Sequence, residues 1–124
     1  MRLLLDTRAY LWWLTDDPRL SDRARKVVSD PSSVVHVSAA SLWEIAVKVD
    51  LGRLQVFSGS LVEEVQAGGF VELPVTARHG WLAGHLPPHP EGPVGALLAA
   101  QAMIEELVIA NPGGGLAVYD VTIL

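Results

Sequence analysis

The chain predicts an α/β fold built on a parallel sheet, and three observations carry that prediction. Arg2-Leu3-Leu4-Leu5-Asp6 is an apolar run without alternation that stops on a carboxylate; a strand of that kind is buried on both faces, as central strands of parallel sheets are. Thr7-Arg8-Ala9-Tyr10-Leu11-Trp12-Trp13-Leu14 follows with apolar side chains at helical spacing, as a crossover helix would have them. Val34-Val35-His36-Val37 then leads into another helical stretch, repeating the strand-to-helix order.

At 124 residues the chain fits one domain spanning 1–124, long enough to bury a core without staples. Half of its residues are apolar and there is no cysteine. No stretch approaches the roughly 18 apolar residues of a membrane span. The start, one Arg before three Leu and then an acid, is too short and too soon charged for a secretory signal. A soluble, cytoplasmic protein with no membrane partner is expected.

The net charge of −5 argues against a general nucleic-acid binder, which needs clustered Lys and Arg. The charge is uneven, however. Residues 1–53 hold eight basic and seven acidic side chains, a net of +1, whereas residues 54–124 hold only Arg78 against seven acids, a net of −6. A polyanion contact therefore belongs to the first half.

The elements follow in order. Asp16-Asp17-Pro18 ends the first helix, and Ser21 caps a second over 22–29, whose Arg23, Arg25 and Lys26 read as a solvated face. After the second strand, where His36 reads as a strand-face residue without chemistry, Ser38 caps a helix over 39–50. Leu42, Ile45, Ala46 and Val49 would face the core at i, i+3, i+4 and i+7, and Leu51-Gly52 stops the helix. A short helix over 58–68, a strand over 70–73 and a helix over 76–83 come next. Residues 86–93 form a Pro-rich loop, 97–107 an Ala-rich helix, 107–109 a short strand, 111–115 a Gly-rich loop and 117–124 an edge strand. His79, His85 and His89 lack the pairing of a zinc site and read as surface or packing residues. Trp12, Trp13, Trp43 and Trp81 suit core packing, with a partner surface as the alternative for those near helix starts.

Two acids stand out. Asp6 ends a core strand at the carboxyl edge, where ligands of open α/β sheets bind; it equally suits the N-cap of the next helix. Glu44 lies off the apolar stripe, one turn before Lys48. It is either half of a surface i, i+4 pair or a second carboxylate near the same edge, brought there if the first two strands are neighbours.

The stretch from Leu3 to Trp13, together with Val37-Ser38-Ala39-Ala40-Ser41-Leu42-Trp43-Glu44-Ile45-Ala46-Val47-Lys48 and Leu51-Gly52-Arg53-Leu54, resembles the PIN-domain family in its VapC-type toxin branch. The likeness continues in order through Leu73-Pro74-Val75-Thr76, Leu86-Pro87-Pro88-His89, Leu97-Leu98-Ala99-Ala100-Gln101-Ala102 and Tyr119-Asp120-Val121-Thr122-Ile123-Leu124. The resemblance implies a three-layer α/β/α fold with a central, mostly parallel sheet flanked by helices. It implies a Mg²⁺- or Mn²⁺-dependent endoribonuclease, paired with a VapB-type antitoxin and acting on RNA as a homodimer. Asp6 and Glu44 match the first two of about four metal-holding acids, and Arg8 and Lys48 would contact nucleic acid.

The departures are as informative. Where the family's third acid stands, within a segment resembling Asp-Pro-Phe-Asp-Arg, this chain has Gly92-Pro93-Val94-Gly95-Ala96, which puts Gly95 at the position. The fourth position is Asn111, which carries a carbonyl oxygen but no charge. Of the remaining acids only Glu91 is placed to substitute, four residues before Gly95; Glu105 and Glu106 read as a solvated helix end and Asp120 as a turn residue. Two carboxylates in place of four imply a weakly held metal and weak catalysis, since losing one charge-stabilising group costs ~10²–10³ in rate. The alternative is a catalytically inactive domain that binds an antitoxin, RNA or a second copy of itself.

Overall fold

The computed structural model describes residues 1–55 and 60–124. Strands β1 (Arg2–Leu5), β2 (Val34–Ser38), β3 (Val71–Leu73) and β4 (Val108–Ala110) form one parallel sheet in the order β3-β2-β1-β4. The register pairs Leu5 with Val37 on one side and with Ala110 on the other. Asp6 and Asn111 therefore stand one residue beyond the paired ends of β1 and β4, at the carboxyl edge, beside Ser38, the last residue of β2, which pairs with Leu73. The Asp6 N–H extends the ladder by donating to the Ala110 carbonyl at 3.0 Å.

Side chains of a strand alternate between faces, and here both faces are apolar. Leu3, Leu5, Val35 and Val37 pack with α1 (Thr7–Leu14), α2 (Asp22–Ser29) and α4 (Leu61–Ala67), through Ala9, Tyr10, Ala24, Val28 and Val65. Leu4 and Ile109 pack on the other face against Leu98, Ala99 and Ala102 of α6 (Pro93–Glu105), which α5 (Ala77–His85) covers. The result is the expected α/β/α sandwich. Leu3, Leu4 and Leu5 are fully buried, and each contributes about 2 kcal/mol of hydrophobic transfer.

Side-chain caps fix where helices begin. Ser21 accepts from the Ala24 N–H, Ser38 from the Ala40 N–H and Thr76 from the His79 N–H. The first two caps are where the sequence places them, and α1, α2 and α3 (Ala39–Asp50) have their expected bounds.

Several expectations are corrected. The last helix starts at Pro93 rather than at residue 97, with proline at its first position, where a missing N–H and a fixed φ cost nothing. Gly95 thus lies in the first turn of a helix and not in a loop. Residues 117–124 form no edge strand: a 3₁₀ turn, Gly115–Val118, precedes a single bridge between Ile109 and Ile123. On α3, Ile45 is fully buried and Leu42 half-buried, but residues 46–51 are exposed, so Ala46 and Val49 do not face the core. The second half of that helix projects beyond the layer it starts in. The short helix expected over 58–68 is α4 from Leu61; positions 58 and 59 lie outside the described residues. Strand β3 starts one residue late, at Val71, and α5 runs two residues further, to His85.

Trp12 and Trp13 pack on the core as expected, whereas Trp43 and Trp81 are 59% and 76% exposed. Arg25, assigned to a solvated face, is half-buried and bonds Asp16 at 2.7 Å. His79 is completely buried and reaches Glu105 at 3.1 Å, so that acid does more than cover a solvated helix end. No helix among the described residues is long and apolar enough to cross a membrane.

Candidate active-site cleft

A cleft of about 550 Å³ opens at the carboxyl edge of β1 and β4. Asp6, Arg8, Glu44, Lys48, Glu91, Gly95 and Asn111 all line it. The fold thus brings together every site residue singled out in the sequence, although these come from four separate stretches of chain.

Asp6 lies at its base, only 7% exposed. Its Oδ1 accepts from the Ala9 N–H at 2.7 Å, so it does cap α1. The cap and the site role are compatible, because the cap engages only one of the two carboxylate oxygens. That oxygen, Oδ2, accepts from the Asn111 side-chain amide at 2.7 Å. Burial disfavours the charged form and pushes the Asp6 pKa up to about 6; the two hydrogen bonds and Arg8 oppose the shift, and Glu44 adds slightly to it. Glu44 is therefore close enough for its charge to act on Asp6. It also makes the expected i, i+4 pair with Lys48, at 3.8 Å.

The orientation of Asn111 follows from its partners. The Leu116 N–H donates to its Oδ1 at 2.8 Å, which turns the NH₂ group toward Asp6. Its carbonyl oxygen is engaged, so in this geometry Asn111 acts as a donor to a carboxylate rather than as an oxygen ligand. Glu91 reaches Arg8 at 3.8 Å, with both side chains largely in solvent.

At Gly95 the helical backbone is ordinary, but the space beside it is filled. A Cβ there would meet the Leu116 Cδ2 at 3.1 Å and the His89 ring at 3.2 Å. His89, read from the sequence as a surface or packing residue, lines the cleft and stands against this position. Its Nδ1 accepts from the Glu91 N–H at 3.2 Å, and Nε2 lies 3.3 Å from the Gly115 carbonyl. Arg53 was missed as well, though it lines the cleft just beyond α3. Only the projection of α3 brings it there, and no local spacing encodes that.

A hard divalent ion takes oxygen ligands and keeps several waters. Asp6 and Glu44 supply two carboxylates, and among the described residues no group of three or more His, Cys, Asp or Glu is placed to hold a metal. That donor set fits a loosely held, water-rich ion and not a four-acid centre.

A parallel α/β sandwich with acids gathered where its central strands end defines the class of molecule. The model of the PIN domain matches residues 3–111, and the chain belongs to that family. Solved structures share the fold at low identity. VapBC2 from Rickettsia felis, bound to a DNA fragment from its promoter, superposes with a TM-score of 0.66 at 14% identity, covering 100% of this chain and 97% of that one. FitAB bound to an IR36 DNA fragment gives 0.64 at 15%, covering 98% and 93%. FitAcB from Neisseria gonorrhoeae gives 0.61 at 19%, covering 98% and 96%. No curated protein matches the chain by sequence.

Proposed function

We propose that this PIN domain is a VapC-type toxin whose metal-dependent endoribonuclease activity is weak. One observation carries the reading: Asp6 and Glu44 line a single cleft at the carboxyl edge, with Glu44 near enough to perturb Asp6. These two carboxylates would hold Mg²⁺ or Mn²⁺, which when bound supplies an activated water and charge for the leaving oxygen of a phosphodiester. Arg8 and Lys48 hold the RNA phosphates, and Leu11, Leu54 and Leu98 give the cleft dry walls. Activity is low because Gly95 contributes no carboxylate and Asn111 contributes a neutral donor.

The partner is a VapB-type antitoxin, and the toxin acts as a homodimer in the cytoplasm. The exposed side of α3 and its C-cap supports a partner, since Trp43, Val47 and Leu51 follow one another at i, i+4 and i+8 and are all exposed. The alternative, a catalytically silent binding domain, draws support from the amide of Asn111, which satisfies Asp6 without any cation.

Restoring the two acids separates the readings. Gly95→Asp with Asn111→Asp should give Mn²⁺-dependent RNA cleavage that the native chain shows barely or not at all. His89 must move aside for the new side chain, so His89→Ala added to the pair should raise the rate further. Folded variants, by far-ultraviolet dichroism, that stay inert with Mn²⁺ would favour the binding domain. Strong native cleavage abolished by Glu91→Gln would mean that Glu91 completes the site.

A further inference from the structure

Six polar residues are buried among the described ones, and four of them, Asp6, Thr7, Ser38 and Ser41, gather where β1 and β2 end. Burying a hydroxyl costs free energy unless it is hydrogen-bonded, and an alanine or valine would fill the same space without that cost. Two of the four tie a helix to its strand: Asp6 accepts from the Ala9 N–H and Ser38 from the Ala40 N–H. The other two tie the helices to each other. Thr7 Oγ1 donates to Ser41 Oγ at 3.0 Å, in a buried place where α1 packs against α3. Among the described residues it is the one hydrogen bond between these two helices.

That bond links the two acids of the cleft. Thr7 follows Asp6 directly and itself lines the cleft. Ser41 lies three residues before Glu44, so the two side chains share a face of α3. Asp6 is fixed at one oxygen by its cap and at the other by the Asn111 amide. Glu44 is anchored among the described residues only by its 3.8 Å pair with Lys48, whose side chain is half in solvent, and such a pair directs it little. The place of Glu44 therefore follows from the place of α3. Ala40 and Ile45 hold that helix to the core by apolar contact, which has no directional preference, and residues 46–51 are exposed. A hydrogen bond specifies both distance and angle, and threonine is stiff at χ1.

We propose that Thr7 and Ser41 are positioning residues: their hydrogen bond braces α1 against α3 and sets the separation of Asp6 and Glu44 at which the two carboxylates hold a divalent cation. The inference rests on the reading of those two acids as the metal holders. Both hydroxyls act through the acids and are not themselves ligands. Ligating groups must be kept within roughly 0.5 Å of their places, and the partners that orient them are typically worth ~10–100-fold in metal affinity.

Two measurements test the brace, one with metal and one without. Mn²⁺ titration, followed by paramagnetic broadening of amide resonances, should show roughly tenfold weaker binding to Thr7→Val and to Ser41→Ala. Thr7→Ser, which keeps the hydroxyl, should bind as the native protein does. The double variant should lose no more than either single one, because each removes the same bond. Val28→Ala, which opens a cavity beneath α2 outside the cleft and lowers stability alone, should leave Mn²⁺ binding unchanged. In metal-free crystal structures of Thr7→Val and Ser41→Ala, the Asp6 and Glu44 carboxylates should be displaced relative to each other by more than roughly 0.5 Å. The proposal is overturned if both variants keep the native separation, or if Thr7→Ser or Val28→Ala weakens Mn²⁺ binding as much as Thr7→Val. Native protein that binds no Mn²⁺ would refute the two-acid metal reading, and the metal-free structures would still decide the brace.

Discussion

The side-chain amide of Asn111 donates to the Asp6 carboxylate at 2.7 Å across 105 positions of sequence. It takes the oxygen of Asp6 that the cap on α1 leaves over, and its own carbonyl is fixed by the Leu116 N–H. A neutral donor here does for the buried acid part of what a cation would do.

Exchange of that donor for a third carboxylate has a clear expected cost. In Asn111→Asp two carboxylates face each other in a buried place and Asp6 loses a hydrogen bond, which should destabilise the fold by roughly 1–3 kcal/mol near pH 7. Added Mn²⁺ should recover much of the loss. Thermal melts with and without Mn²⁺ measure both effects, and a variant as stable as the native protein and indifferent to Mn²⁺ would contradict the assignment.

Stability should depend on pH through Asp6. Its native pKa of about 6 lies above the 3.8 of the unfolded chain, so between those values the native state binds the extra proton. Stability from this group is then fully present below about pH 4 and is lost as pH rises through 6, by an amount on the order of 3 kcal/mol. Urea unfolding at pH 4.5 and pH 7.5 should show the drop in the native protein and its absence in Asp6→Asn. Equal slopes in the two proteins would remove Asp6 as the cause.

Metal affinity should be poor and proton-linked. With two carboxylates as ligands, Mn²⁺ is expected to bind in roughly the millimolar range, and more tightly at pH 7.5 than at pH 5.5, because Asp6 must first lose its proton. Titration calorimetry at both values tests this. Micromolar binding that survives Asp6→Ala would move the site elsewhere.

His79 anchors α5 to α6. Its Nδ1 accepts from the Thr76 N–H, closing a capping box, while Nε2 reaches Glu105 at 3.1 Å. His79→Ala removes a fully buried ring and leaves the Thr76 N–H without its acceptor, so a loss of about 2–4 kcal/mol is expected in denaturant unfolding. Glu105→Gln, which keeps an acceptor for Nε2, should cost much less.

The central sheet was legible in the sequence because Leu3, Leu4 and Leu5 must be covered on both faces, which leaves few alternatives to a parallel core strand. Ser21 and Ser38 likewise announced the helices that they cap. The start of α6 is not legible: Gly92-Pro93 reads as loop, though proline at a first helical position is equally consistent with helix. The closing segment misled because its apolar residues serve Tyr119, Val121 and Ile123, which pack against α6 and β4 without forming a ladder. Of the site, Asp6 and Glu44 carried a signal through their positions relative to strand and helix. His89 and Arg53 carry none, since what they do depends on which segments meet in space.

Asp6 and Asn111 stand one residue beyond the paired ends of the parallel strands β1 and β4. Both side chains serve the scaffold as well as the cleft, Asp6 by capping α1 and Asn111 by holding the Leu116 N–H, so a change at this rim alters stability together with chemistry. An acid-rich metal site and a hydrogen-bonded, metal-free one then lie only a few substitutions apart in sequence space, each step carrying its own cost in stability. That short path makes this chain a natural starting point for laboratory evolution of metal-dependent activity.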